Sequence, residues 1–525
     1  MDYKMMRAIA LVLVLALVGG VLWMLWPELQ PKSVAFSQME YTRPDMKAFN
    51  KSLQECLDQA ESGKSLDSVV DSIENFLGLY YDYLTAYTLA DIHYSCDMSD
   101  DKWGEEYSFC LQNVSAVDAG LDKLLYALAD SPFRKDLEDE QYFGEGFFDS
   151  YDGESIWDET FTALMEQEST LLDRYYDASA EAQANYDDVD GYYECLADLA
   201  DIYVELIALR QQIAAYLDYD SYPQFAYDYY YDRDYTAQQE AELVERIRVE
   251  LAPLYCELDY SKYSLQYSSE TSTFSYVKNC AANMGGAVAE AFDRLEKDGL
   301  YDISYSANKY PNSFTTYIYN YDVPFVFLYP DMSSYDQLTF AHEFGHFANQ
   351  YAIGGSMSVD ISEVHSQGME FMSLFYGENA KSLEQLKLAD CLGTYVEQAA
   401  LASFERQAYG LTGEELTSEN LQALYMRVCE DFGFAQWVSD PLEFTTISHF
   451  FTNPMYVISY VVSNDAALQL YLREKEEAGS GLEIYQKCLV SEEEYFLAFV
   501  ESVGLESPFR ADGIAEVRQM MEKML

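Results

Sequence analysis

The apolar periodicity of helices runs through most of the chain before residue 300. From about residue 37 to residue 297, apolar side chains recur three and four positions apart, which places them on one face of an α-helix. The pattern is clearest in residues 66–89, 116–129 and 193–217. No repeat of fixed period and no low-complexity linker interrupts it. We therefore predict a packed helical region over this part of the chain.

Between residues 313 and 329 the period changes to that of β-strands. Residues 314–319 and 323–329 are rich in Phe, Thr, Tyr, Ile and Val, and residues 320–322 read Asn-Tyr-Asp, a plausible turn. We predict a hairpin here. Its edge can hold an extended peptide through backbone hydrogen bonds, whereas the alternative is a structural hairpin that only covers the core.

A predicted helix follows the hairpin directly. Ser334 and Gln337 have the spacing of an N-terminal capping box, and apolar residues follow at helical spacing. Gly354 and Gly355 would end the helix. After the break, a second helix is predicted to begin near Ser358 or Asp360.

The first of these helices carries the pattern H-E-x-x-H at His342, Glu343 and His346. Residues four apart lie on the same face of a helix, so both imidazoles can bind one metal ion. Glu343 would then act as general base toward a metal-bound water. Taken alone, the pattern is moderately specific.

Two histidines are fewer protein ligands than catalytic zinc usually has, which is three with one position open for water or substrate. Glu363 on the second helix is the best candidate for the third. Glu370 lies seven residues further on, on the same face, and is the alternative. Gly368 would let the two helices approach closely.

These motifs carry a family resemblance. His-Glu-Phe-Gly-His at 342–346 and Ser-Glu-Val-His-Ser-Gln-Gly-Met-Glu-Phe at 362–371 resemble the zinc metallopeptidases of the thimet oligopeptidase, neurolysin and oligoendopeptidase F family. The family's loop between the two motifs is usually several residues longer. The resemblance implies that His342, His346 and Glu363 bind one zinc ion per chain.

A later segment extends the resemblance. In the family, a His and nearby tyrosines on a late helix face the zinc and stabilise the oxyanion, and His449, Tyr456 and Tyr460 stand at those positions. Tyr456 and Tyr460 are four apart on a predicted helix, in a Pro-x-Tyr-x-x-x-Tyr spacing that is similar to relatives of the bacterial collagen-peptide-cleaving type. A hydrogen bond to the oxyanion lowers the barrier by a few kcal/mol. Either tyrosine could be the principal donor.

The resemblance also implies the fold. It implies a mainly α-helical, two-lobed peptidase fold around a deep central channel, with the small hairpin beside the zinc helix. A stretch around residues 209–236 is similar to the segment that precedes the catalytic lobe in oligoendopeptidase F relatives. We expect an N-terminal helical lobe over 36–235 and a catalytic lobe over 236–525. A deep channel would admit oligopeptides but no folded protein.

The N-terminus has the features of a membrane segment. Lys4 and Arg7 precede an uncharged apolar run over residues 8–26, and nineteen helical residues span about 28 Å. We predict a signal anchor and linker over 1–35, with the body on the outer side of the membrane. The alternative is a cleaved signal peptide and a secreted body.

The net charge of the chain limits the classes of molecule that it can bind. The formal net charge is −60, from 91 acidic and 31 basic residues. This excludes nucleic acid, since phosphate binding needs clustered Lys and Arg. The negative net charge favours solubility. A more specific interpretation is that its electrostatic field attracts cationic peptides. The chain has nine cysteines, an odd number, and no two of them have the spacing of metal ligands. They are as consistent with buried thiols as with disulfides.

Four of the five histidines lie in these motifs, namely His342, His346, His365 and His449. On a helix His365 points away from Glu363, which favours a role beside the ligands or in substrate contact. Asp360 and Glu370 are candidates to support the ligands.

We therefore predict a monomeric, membrane-anchored zinc metalloendopeptidase of oligopeptides. The alternatives are another zinc peptidase, an aminopeptidase or carboxypeptidase, and a catalytically silent surface peptide-binding protein.

Overall fold

The computed structural model describes residues 34–139, 141–152, 158–185, 188–259, 265–378 and 380–525. The predicted signal anchor, with its apolar run over residues 8–26, lies outside these ranges. Inside them, no helix combines the length and the apolar character needed to cross a membrane.

Helices dominate the described ranges, as predicted. Those before the sheet are Met46–Ser62 (α1), Leu66–Cys96 (α2), Asp101–Ala129 (α3), Arg134–Leu137 (α4), Glu159–Ala184 (α5), Val189–Tyr216 (α6), Tyr222–Tyr229 (α7), Ala237–Glu250 (α8), Ala252–Cys256 (α9), Glu270–Met284 (α10) and Gly286–Asp298 (α11). Those after it are Asp336–Ile353 (α12), Val359–Tyr376 (α13), Lys381–Ala408 (α14), Ser418–Asp431 (α15), Ser448–Thr452 (α16), Ile458–Glu476 (α17), Ser480–Leu489 (α18), Phe496–Ser502 (α19) and Gly513–Met524 (α20).

The predicted hairpin is confirmed, and a third strand joins it. Strands Phe314–Ile318 (β2) and Val323–Phe327 (β3) pair antiparallel around a 3-10 turn at Tyr319–Tyr321. The short strand Tyr301–Asp302 (β1) pairs parallel to β3. The order in the sheet is β1-β3-β2, so β2 is an edge strand.

Two hydrophobic cores divide the described residues. The smaller one is built from α1–α4 and the turn Phe147–Tyr151, with members between Phe49 and Tyr151. The larger one takes in the sheet and the helices from α5 onward. Helix α2 belongs to both, because Leu89 and Ile92 near its end lie in the larger core. It therefore connects the N-terminal helices to the sheet. The predicted lobe boundary at residue 235 stays a prediction.

The helix that carries H-E-x-x-H begins differently from the prediction. Its N-cap is Tyr335, without a side-chain cap, so the predicted capping box is wrong. Ser334 instead accepts a hydrogen bond from the Gln266 backbone N–H (3.2 Å). Asp336 in the first turn accepts from the N–H groups of Asp331 and Met332 (3.0 and 2.9 Å), which fixes the preceding loop. A long-range contact therefore replaces the local cap.

Helices α12 and α13 cross closely at Gly345. A Cβ there would lie 2.4 Å from the His365 carbonyl oxygen and 2.7 Å from Ser366 Cα. Gly368, which the sequence suggests for this role, faces Tyr485 and Leu470 on other helices. The glycine inside the H-E-x-x-H pattern thus sets the distance between the two helices.

Candidate active site

Three side chains from two helices converge as a possible metal site. His342 and His346 lie one turn apart on α12, and Glu363 lies near the start of α13. Ligand atoms of the three lie within 4.8 Å of one another. Glu363 Oε2 is 3.5 Å from His342 Nε2 and 3.8 Å from His346 Nε2. The structure thus brings the three predicted ligands together.

The second nitrogen of each imidazole has its own partner. His342 Nδ1 lies 2.8 Å from Glu370 Oε1, and His346 Nδ1 lies 3.1 Å from the Ser362 hydroxyl. Both Nε2 atoms are thereby directed toward Glu363. This is the arrangement of metal-binding histidines, whose other ring nitrogen is held by a carboxylate, carbonyl or hydroxyl. Glu370, the alternative third ligand, supports His342.

Glu370 belongs to a buried chain of charges. Lys387 on α14 contacts both Glu370 (2.8 Å) and Asp390 (2.9 Å), and the Tyr335 hydroxyl donates to Asp390 (3.0 Å). Although burial opposes ionisation, Lys387 and His342 lower the pKa of Glu370. Burial also opposes protonation of His342, but Glu370, with Glu363 and Glu343, raises the pKa of His342 to about 9.

Glu343 lies beside the ligand set and is held by the sheet. The Thr315 hydroxyl on β2 lies 2.8 Å from Glu343 Oε2 and 2.9 Å from the Glu343 carbonyl oxygen. Burial raises the pKa of Glu343 from 4.5 to about 7, against the opposing effects of His342 and Thr315. A carboxylate with a pKa near neutrality is suited to accept and return a proton.

The late tyrosines and His449 also reach the site. The Tyr456 hydroxyl donates to Glu363 Oε1 (2.8 Å), and the Tyr460 hydroxyl lies 3.4 Å from His449 Nε2. Burial is the largest cause that raises the pKa of both phenols, which stay protonated hydrogen-bond donors. Burial lowers the pKa of His449 to about 4, so its imidazole is neutral at pH 7.

The prediction that both tyrosines share one helix is wrong. Tyr460 lies in α17, which begins only at Ile458, and Tyr456 lies in the turn before it. Met455 in that turn has a φ of +66°, a left-handed conformation that ends any helix and is unusual for a side chain of this kind. The turn still directs the Tyr456 ring toward Glu363.

Buried polar side chains hold this turn in place. Glu405 accepts from the Met455 N–H (2.8 Å), Arg233 donates to the Met455 carbonyl (2.9 Å), and the Tyr231 hydroxyl donates to the Pro454 carbonyl (2.8 Å). Such contacts from two distant segments can hold a backbone conformation that the local sequence disfavours.

Two other predicted residues lie further away. Asp360 is buried, pairs with Arg233 and accepts from the Tyr235 hydroxyl (2.8 Å), so it joins α13 to the segment after α7. His365 is fully buried, and its Nε2 lies 3.0 Å from the Cys488 carbonyl. It points away from Glu363 as expected, but it faces the core, so the expected place beside the ligands or substrate is wrong.

The site lies between two cavities. One, with a free volume of about 440 Å³, is lined by Glu343, His342, Tyr460, Tyr335 and Asp390. The other, of about 60 Å³, is lined by His346, Glu363, Tyr456, the edge of β2 and one face of α2. The ligand set therefore borders a larger cavity on the Glu343 side and a smaller one on the His346 side.

Comparisons with known proteins agree with this architecture. Residues 36–154 match the family model described as "Peptidase M3 N-terminal domain", and all members of the smaller core fall in that range. A solved structure of a protein assigned as oligoendopeptidase F superposes with a TM-score of 0.79 at 20% identity, covering 94% of this chain and 98% of that one. PZ peptidase A, solved with an inhibitor, gives 0.78 at 18% identity, with coverages of 93% and 99%.

Oligoendopeptidase F from Enterococcus faecium gives a TM-score of 0.53 at 16% identity, covering 92% of this chain and 98% of that one. A search of curated protein sequences gives no match. The N-terminal helices thus match the Peptidase M3 N-terminal domain model, and the chain as a whole has the fold of these solved oligoendopeptidase F structures. This confirms the resemblance that the two motifs predict.

Several residues of the candidate site could not be predicted from the sequence. Thr315 is predicted only as a strand residue, and Ser362 and Lys387 are not singled out. Ser362 directly precedes Glu363, which is a usable signal. Lys387 gives a weaker sequence signal. It is a rare cation in an acidic chain, but its position beside Glu370 depends on how α14 packs.

Proposed function

We propose that the protein is a zinc-dependent oligopeptidase that hydrolyses internal bonds of short peptides. One observation carries the proposal: His342 Nε2, His346 Nε2 and Glu363 Oε2 converge beside the carboxylate of Glu343, in a cleft lined by the edge of a strand. The M3 domain and the fold support the reaction class. The named solved structures are those of peptidases, and peptides are accordingly the proposed substrates.

The donor set fits zinc. Two imidazole nitrogens and one carboxylate oxygen form a ligand set of catalytic zinc sites, and the partners of both Nδ1 atoms leave the Nε2 atoms as donors. A zinc ion held by these residues would supply Lewis acidity toward the peptide carbonyl and toward water. The chain's own residues would do the rest.

Glu343 is the proposed general base and acid. Its carboxylate lies beside the ligand set, where it could take a proton from the attacking water and pass it to the leaving amine. Thr315 holds one carboxylate oxygen, which fixes the direction in which the other can accept a proton. Its position thus suits both halves of the proton transfer.

Tyr460 and His449 are the proposed donors to the oxyanion. The Tyr460 side chain lines the same cavity as Glu343, and its hydroxyl lies close to the neutral imidazole of His449. Tyr456 is engaged with Glu363, so we assign it the orientation of that ligand and a secondary contribution to the oxyanion.

The test compares the purified protein with Glu343→Gln, measuring zinc content and the hydrolysis of a quenched fluorescent peptide library. We expect about one zinc per chain in both proteins, internal cleavage by the parent, and a rate lower by about 10²–10⁴-fold in the variant. If both bind zinc and neither cleaves any peptide, the peptidase proposal is wrong. Tight peptide binding without turnover would then favour the silent peptide-binding alternative.

The proposed location is the outer side of the membrane, with residues 8–26 as the anchor. Protease digestion of intact cells should remove the body, and alkaline extraction should leave the full-length chain in the membrane fraction. A body that is protected in intact cells, or a chain that is released by alkali, would contradict the proposed location.

A further inference from the structure

Arg233 joins the helix of the third ligand candidate to the turn that carries the tyrosines. Its guanidinium pairs with the Asp360 carboxylate on α13 through two long contacts (3.3 and 3.4 Å). It also donates to the Met455 carbonyl (2.9 Å) and to the Ser459 hydroxyl (2.8 Å). The side chains of Arg233 and Asp360 are only 1% and 3% exposed, so water does not compete for these contacts. Arg233 is therefore a fixed link between two elements of the candidate site.

This link ends next to the residues that the proposed reaction uses. Asp360 lies one helical turn before Glu363 on α13. On the other side, Arg233 contacts the residues that directly precede Tyr456 and Tyr460. The Tyr456 hydroxyl itself donates to Glu363 Oε1 (2.8 Å), which makes a second connection between the same two elements. The distance between the ligand and the two phenols thus depends on both connections.

The chemistry of arginine suits this position. A guanidinium is planar, carries five N–H donors and stays charged, so it can bind a carboxylate, a carbonyl and a hydroxyl from one plane. The rings of Tyr227 and Tyr231 lie 4.4 and 4.3 Å from its central carbon and hold that plane. The Tyr235 hydroxyl donates to Asp360 (2.8 Å), which orients the carboxylate. A lysine would keep the charge but lose the planar set of donors.

The buried pair of Arg233 and Asp360 contributes orientation more than stability. Desolvation of two charges offsets much of their attraction, so such a pair adds little net stability. The orientation matters because Met455 has a φ of +66°, a conformation that persists only where the surrounding contacts maintain it. The bond from Arg233 to the Met455 carbonyl is one of these contacts. Without it the turn can relax and displace Tyr456 and the start of α17.

We propose that Arg233 is a positioning residue for the peptidase reaction, which holds the Tyr456 and Tyr460 hydroxyls at the distance from Glu363 that the transition state requires. The inference rests on the proposed function and adds to it a residue outside the cavities. Arg233 is not among the described residues that line either cavity beside the ligand set, so it acts through the tyrosines. Because the oxyanion forms only in the transition state, loss of this positioning lowers kcat and kcat/KM alike and leaves KM unchanged.

The test introduces Arg233→Lys into the full-length holoenzyme and measures zinc content, kcat and KM on a peptide that the parent cleaves. We expect about one zinc per chain, an unchanged KM, and a kcat lower by about 10–100-fold, the size of effect that a displacement of about 1 Å produces. Arg246→Lys is the matched control. Arg246 also donates to backbone carbonyls, those of Phe509 and Arg510 near the C-terminus (both 3.3 Å), and its substitution should leave kcat unchanged.

A second background separates positioning from a general effect on the fold. In Tyr460→Phe, which lacks the principal proposed donor, Arg233→Lys should lower kcat by only about threefold or less. An equal loss in both backgrounds, a loss of zinc, or a change in KM alone would overturn the inference and leave the peptidase function standing. Zinc binding by the parent without cleavage of any peptide would overturn both.

Ser459→Ala serves in the same comparison if Arg233→Lys fails to fold. It removes one contact of the guanidinium and keeps the buried pair with Asp360. We expect kcat to fall about tenfold in the parent background, with zinc content and KM unchanged, and to change little in Tyr460→Phe. A Ser459→Ala protein with the parent's kcat, or with the same loss in both backgrounds, would overturn the inference.

Discussion

Glu370 lies between Lys387 and His342, one of the proposed zinc ligands. One of its carboxylate oxygens contacts His342 and the other contacts Lys387. Glu370→Gln removes the negative charge that favours donation from His342 Nδ1. We expect zinc affinity to fall about 10–100-fold, the usual effect of losing such a partner. Competition with a chelator measures it, and Glu378→Gln, an exposed change just after the same helix, is the control. Equal affinities in all three proteins would contradict the role of Glu370.

Glu405 makes the stability of the turn at Met455 depend on pH. Burial raises the pKa of Glu405 from 4.5 to about 8, although the Met455 N–H and two arginines oppose the shift. The folded protein therefore binds this proton more tightly than the unfolded chain. The stabilisation is complete below pH 4.5 and is lost as the pH rises through about 8.

The free energy of unfolding should accordingly fall between those pH values, by at most about 1.4 kcal/mol per pH unit from this group. Glu405→Gln lacks the titration and should show a flatter dependence in urea unfolding. Exposed Glu501→Gln should follow the parent. Parallel curves for the parent and Glu405→Gln would show that the carboxyl does not hold the proton.

Single residues could be predicted where their chemistry is local in sequence. His342, Glu343 and His346 need only the period of one helix, and Glu363 needs only its motif. Thr315 and Lys387 could not be predicted, because they reach Glu343 and Glu370 through the packing of other elements, which apolar periodicity does not specify.

At the scale of elements, the crossing of α12 and α13 depends on Gly345. Gly345→Ala would place a methyl group against the backbone at His365 and Ser366 and force the two ligand-bearing helices apart. We expect a loss of about 1–3 kcal/mol in the free energy of unfolding, with weaker zinc binding. Gly393→Ala in α14 is the control, because its Cβ would meet only Tyr255 at 3.6 Å and Glu397 at 4.0 Å.

The control should gain about 0.5–1 kcal/mol, as a helical alanine does over glycine. Chemical denaturation gives the free energy of unfolding of the three proteins, and zinc titration gives their affinity for zinc. A Gly345→Ala protein as stable as the parent would show that the helices adjust to the methyl group.

Element boundaries were predictable wherever a regular period continues. The helix predicted to end at Gly354 and Gly355 does end at Ile353, and the one predicted to begin near Ser358 or Asp360 begins at Val359. The late segment was not predictable, because Tyr456 and Tyr460 have helical spacing while Pro454 and the left-handed Met455 interrupt the helix. Glu405, Arg233 and Tyr231 hold this interruption from a distance, so the local sequence carries little sign of it.

At the scale of the whole molecule, the helical class follows from the sequence, but the grouping of helices into two cores does not. Helix α2 has one continuous helical pattern, and nothing in it marks the point near Leu89 where it passes from one core to the other. That passage brings Thr88 and Asp91 to the edge of β2, so the shape of the cleft depends on tertiary packing.

The net charge of −60 belongs to the whole molecule, and its effect on substrates can be separated from that of the cleft. A negative field should raise the rate of association of cationic peptides, and salt should screen it, since the Debye length falls from about 30 Å at 0.01 M to about 8 Å at 0.15 M. Carboxylates that contact the substrate directly act at short range and are screened much less. We therefore expect kcat/KM for a peptide of net charge +3 or more to fall about tenfold over that range.

A neutral peptide of equal length, cleaved at the same bond, should change little and serves as the control. Stopped-flow or initial-rate measurements at low substrate concentration give kcat/KM directly. If both peptides lose rate equally, salt acts on the protein's stability or on the metal site, and the charge serves solubility alone. If only the cationic peptide slows, the attraction comes from the surface charge of the protein as a whole.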